Sequence, residues 1–150
     1  MGRAVAYGIL LAFTAMTIAV AAARPDWISD QNTFLKGFIG QDILNLLGVI
    51  LAITLASVAN IHLQFNHIEE RYGKRGLRTS RANLRSSAFF LIGLFAIALV
   101  LVTTKPLVVN GPVSEGIINM GCMLILVWHI LILIDLMHLV FVIEPDLPPE

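Results

Sequence analysis

A single cysteine, Cys122, leaves no partner for a disulfide, so a disulfide-stapled scaffold is excluded. Charge is also scarce. Asp, Glu, Lys and Arg make up 13% of the 150 residues, against about a quarter in soluble domains. Disorder requires high charge and few apolar residues, and this chain is the reverse, at 57% apolar. The chain has no Gly-x-Ser-x-Gly elbow, no glycine loop for phosphate, no His-Glu-x-x-His pair and no Thr-Val-Gly-Tyr-Gly filter. A paired-carboxylate site is not offered either, because Asp135 is the one acid deep inside an apolar run. A non-enzymatic protein is therefore expected.

What is present is apolar sequence in long runs. A soluble domain of this size leaves too much surface in water to hide them, whereas a membrane-spanning helix needs about 20 such residues. Apolar runs 4–23, 38–65, 86–104 and 116–143 meet that length, and with their polar flanks they predict helices over 4–23, 38–70, 80–104 and 115–143. The fold class expected is all-α, one domain of four transmembrane helices in an antiparallel bundle. Breakers mark the ends: Arg24-Pro25, then Gly73 and Gly76, then Lys105-Pro106, then Asn110-Gly111-Pro112, then Pro145, Pro148 and Pro149. The first run could also be a signal peptide, with Arg3 before it and Ala21-Ala22-Ala23 at its end. A signal core is about 7–15 residues, and this run is longer, so a retained helix is expected.

The ten basic and ten acidic residues cancel, but six of the basic ones crowd into 71–85: Arg71, Lys74, Arg75, Arg78, Arg81 and Arg85. Basic loops stay on the cytoplasmic side. This predicts a cytoplasmic 66–85 loop and cytoplasmic termini, in a bacterial inner membrane, with an acidic, proline-rich tail at 144–150. Positive-inside bias alone explains the loop, and it also suits anionic lipid or an acidic soluble partner. Arg71, Lys74, Arg75, Arg78 and Arg81 are the docking candidates. Tyr72 is the one aromatic among them, so stacking of nucleic-acid bases is not indicated.

Small residues mark helix contacts in lipid, where apolar burial drives nothing. Gly8, Ala12, Ala15, Ala19 and Ala23 form one ridge, and Gly48, Ala52, Ala56 and Ala59 another. The two are expected to meet, or to serve as an oligomer seam. The third helix, with Phe89, Phe90 and Phe95, reads as the most lipid-exposed.

Polar groups inside the runs are costly, so each needs a reason. His62, Arg85, Asp135 and His138 fall at similar depth on three helices. They form a candidate cluster: a structural ion pair of Asp135 with Arg85 or a histidine, or a gate or proton-handling group. Asn45, Ser57, Asn60, Gln64 and His129 are candidate lining of an aqueous path, or interhelical glue. Haem b between His62 and His138 is an alternative that any two facing histidines would allow. Zinc is not expected from one cysteine and dispersed histidines, and Cys122 reads as a packing residue. No stretch resembles a known family. Four helices enclose almost no volume, so the leading expectation is a homo-oligomeric channel or pore-forming effector with its path between protomers. The alternative is a membrane anchor or sensor subunit whose basic loop and tail dock a soluble partner.

Overall fold

A computed structural model describes residues 3–72 and 78–142. It is all-helical among those residues, and its helices include four long and apolar enough to cross a membrane. Lys74, Arg75 and the 144–150 tail lie outside the described residues, as do the breakers Gly73, Gly76, Pro145, Pro148 and Pro149.

Helix α1 runs Arg3–Ala23. It closes with Arg24 N–H donating to the Val20 carbonyl at 2.8 Å. Arg24 then leaves helical geometry (φ −147°, ψ 78°), as a residue preceding proline is pressed to do. The chain re-enters helix earlier than the apolar pattern implied. Asn32 accepts from the Phe34 and Leu35 amides at 3.1 and 3.3 Å, which caps a short helix α2, Thr33–Gly37. A wide turn over Phe38–Asp42 follows. Ile39 and Gly40 there have non-helical backbone, with ψ of 71° and −125°. Ile39 is buried at this break, so the kink is pinned into the core. Helix α3 then runs Ile43–Tyr72.

Helix α4 spans Arg78–Val108 and contains Pro106. Lys105-Pro106 was expected to stop it. Proline removes only its own N–H and crowds the carbonyl four residues back, and so near the helix end one further turn survives. Val109 N–H still reaches the Lys105 carbonyl at 3.2 Å. The chain then turns at Gly111, whose φ of +155° suits a residue without a Cβ. Pro112 opens helix α5, Pro112–Val142, where its missing N–H costs nothing.

Helix α5 is the hub, packing against α1, α3 and α4, while α4 also packs on α3. Ile39, Ile43, Leu47, Leu94, Ala98, Ile118, Cys122 and Ile125 form one core cluster. Phe65, Leu84, Leu91 and Leu136 form a second. The first lies toward the 24–32 and 109–111 connections, and the second toward the basic end of α3 and α4. Phe90 of α4 meets Trp128 of α5 with ring centroids 5.0 Å apart.

Two packing expectations are corrected. The third spanning helix, α4, is not the most exposed: it buries Leu84, Ala88, Leu91, Leu94 and Ala98, whereas among α1's described side chains only Leu10 is buried. Phe89 and Phe90 are indeed exposed, but they mark only the outer side of α4, and its other side is buried. The small-residue ridges do not form a seam within the protomer either. Gly8, Ala12, Ala15, Ala19 and Ala23 of α1 are exposed, as are Ala52, Ala56 and Ala59 of α3. Nothing lies within 4 Å of a Cβ built on Gly8. Helix α1 lies against α5 instead.

Candidate functional site

Helix α3 has two opposite faces. Ile43, Leu47, Thr54 and Phe65 are buried, and at 100° per residue they share one side of the helix. Asn45, Ala52, Ala56 and Asn60 point the other way and are exposed, with Gln64 beside them. Between Ile43 and Phe65 the chain has no Asp, Glu, Lys or Arg, so these three amides interrupt an apolar stretch. Among the described residues none of their side chains has a hydrogen-bond partner. Ser57 differs: its hydroxyl donates to the Ile53 carbonyl at 2.9 Å within its own helix. Thr54 does the same to Ile50 at 2.7 Å. His129, grouped with these residues from sequence, is elsewhere. It is fully buried within the bundle. Its Nδ1 lies 3.2 Å from the Ile125 carbonyl of its own helix, not a neighbouring one. Its Nε2 is buried without a partner among the described residues.

The four-residue cluster is not assembled. His62 and Arg85 line a groove between α3 and α4. Asp135 lines a separate cleft of about 120 Å³ with Tyr7, Leu10, Ser87 and Trp128. His138 is exposed near the far end of α5. Arg85, instead of pairing with Asp135, lies over the Phe89 ring, 5.5 Å from its centroid. Equal depth was legible in the sequence, but azimuth around each helix was not. Of the basic docking candidates, Arg71 is exposed, and Arg81 donates from Nη2 to Glu69 at 2.8 Å, which ties α4 to α3. Arg78 opens α4. Lys74 and Arg75 lie outside the described residues. Among the described residues no three His, Cys, Asp or Glu side chains gather as a metal would need.

A polar knot at the opposite end was not singled out in the sequence. Lys105 Nζ donates to Asp30 Oδ1 at 2.6 Å. Asn119 Nδ2, fully buried on α5, donates to the same oxygen at 3.1 Å and to the Ile28 carbonyl at 2.8 Å. Glu115 accepts from the Asp30 amide at 2.9 Å. The knot fastens the 24–32 loop onto α4 and α5, with Ile28 against Gly116. Burial alone would raise the Asp30 carboxyl, but the hydrogen bonds from Lys105 and Asn119 and the charges of Lys105 and Lys36 outweigh it. Asp30 is thus held below its ordinary value. The signal that was available is Asn119, a lone amide inside an apolar run, together with opposite charges on facing loops.

No family model matches this chain, and no curated protein or solved structure does so either.

Proposed function

We propose that this chain is a non-enzymatic, homo-oligomeric membrane protein that conducts a small polar species between protomers, along the outward face of α3. In this reading the helices form an antiparallel bundle in a bacterial inner membrane, with the termini and the 66–85 loop cytoplasmic, in keeping with the positive-inside bias. One observation carries it: Asn45 and Asn60 stand on the side of α3 turned away from its buried residues, flanked by Ala52 and Ala56, and Gln64 is exposed at the edge of that face. An amide facing lipid without a hydrogen bond costs about 2 kcal/mol or more. A second protomer, or water held between protomers, removes that cost. The exposed alanines let backbones approach closely enough to do so. The protomer interior is filled by two apolar clusters, which favours a path between copies over one through a single chain.

The test is reconstitution in liposomes. The wild type is expected to be multimeric by detergent-corrected mass and to pass ions. Asn60→Leu with Gln64→Leu should keep the assembly and lower flux by about tenfold, as loss of a polar lining does. A monomer across several mild detergents would overturn the reading, and an assembly that passes nothing would favour the anchor alternative.

A further inference from the structure

Toward the basic end of the molecule, α3 and α4 diverge to form a groove of about 730 Å³. Its body is apolar, with Leu55 and Val58 from α3 and Ala88 and Ile92 from α4, whereas Arg81, Arg85 and His62 line its other end. The two arginines are one helical turn apart, so they share a face of α4. Both keep donors to spend. Arg81 uses Nη2 on Glu69 and its Nε is enclosed by protein, so its Nη1 is the donor left for a ligand. Arg85 is exposed and touches the Phe89 ring, and among the described residues no carboxylate pairs with it.

The dimensions narrow the occupant. Arg81 to Ile92 is eleven residues, or ~16 Å of helix, close to the ~15 Å of one leaflet's hydrocarbon. The groove therefore runs from a mouth that holds Arg85 and the Glu69-paired Arg81 through one leaflet's depth of apolar wall. Guanidinium forks bind phosphate through paired hydrogen bonds, and basic pockets between transmembrane helices hold anionic lipid headgroups. A soluble anion would make no use of the apolar body, and a neutral lipid would make no use of the mouth.

We propose that the α3–α4 groove binds one anionic phospholipid, its phosphate between Arg81 and Arg85 and an acyl chain along Val58 and Ile92. The site belongs to a single protomer, so it stands apart from the oligomer reading.

Native mass spectrometry of the full chain, titrated with phosphatidylglycerol or phosphatidylcholine, tests it. The wild type should retain phosphatidylglycerol about tenfold better than phosphatidylcholine, and inorganic phosphate at equal concentration should not displace it. Arg81→Gln with Arg85→Gln should abolish that preference. Ile92→Trp fills the apolar end at an exposed position and leaves both arginines, so it keeps the proposal testable if the double variant folds poorly. It should weaken phosphatidylglycerol retention by about tenfold. Equal retention of the two lipids by the wild type would overturn the proposal. So would unchanged retention in Ile92→Trp, which would mean that surface charge alone attracts the headgroup. Displacement by inorganic phosphate would overturn it as well.

Discussion

Each end of the molecule holds one partly buried ion pair, Lys105 with Asp30 and Arg81 with Glu69, but the two ends differ in the charge left over. Around the 24–32 loop, Asp30, Lys105, Asn119 and Glu115 bind one another and the backbone, and Lys105 and Asn119 are buried. At the other end Arg85 is exposed over a phenylalanine, Arg81 is half spent on Glu69, and a groove opens beside them. A charge that is buried and satisfied holds structure. A charge left with donors to spare at the mouth of an apolar groove is available for something else. The same contrast recurs across α3, whose inner face is apolar while its outer face carries amides without partners among the described residues.

The largest effect should come from breaking the knot. Lys105→Met strands Asp30 beside a buried amide. A fully buried pair costs about 3–5 kcal/mol when one partner is removed. Asp30 is partly exposed, so a loss of ~2–3 kcal/mol is expected in reversible unfolding in detergent. Adding Asp30→Asn should recover part of it. Asn119→Ala should follow at about 1–3 kcal/mol, because the Ile28 carbonyl loses a donor inside the protein. A smaller effect is expected from acid. Asp30 titrates lower in the fold than unfolded, so its contribution is complete above the ordinary value of 3.8 and fades as pH falls through the lower folded value. The unfolding midpoint of the wild type should therefore drop below about pH 4 more steeply than that of Asp30→Asn with Lys105→Met. The smallest effect belongs to the other end: Arg85→Gln should change stability by no more than about 0.5 kcal/mol, as exposed surface changes do. A cost there as large as at Lys105 would erase the contrast.

Much of the fold was legible because spanning helices are written in runs of apolar residues, and all four runs are helical over their described residues apart from the break at Ile39 and Gly40. The helix ends were less so. Asn32 caps a helix begun before the apolar run, and Pro106 is carried inside α4, because both depend on local hydrogen bonds that composition does not encode. Side-chain partners were the least legible. Asp135 and Arg85 share a depth but not a face, and the ridges of α1 and α3 share a spacing but not a contact, since packing azimuth is set by the whole bundle. The polar character of α3 could be read from Asn45, Asn60 and Gln64. That these residues turn away from the core could not, because the apolar residues surround the helix on every side.

The outward face of α3 carries the central claim, and cross-linking reaches it most directly. Cys122 is the lone cysteine and is buried, so Cys122→Ala gives a clean background. Asn60→Cys in that background, oxidised in native membranes, should form a disulfide-linked dimer. Ile97→Cys, exposed on α4, should stay monomeric under the same oxidation. Asn60→Cys remaining monomeric, or both positions linking equally, would contradict a specific contact between protomers at α3.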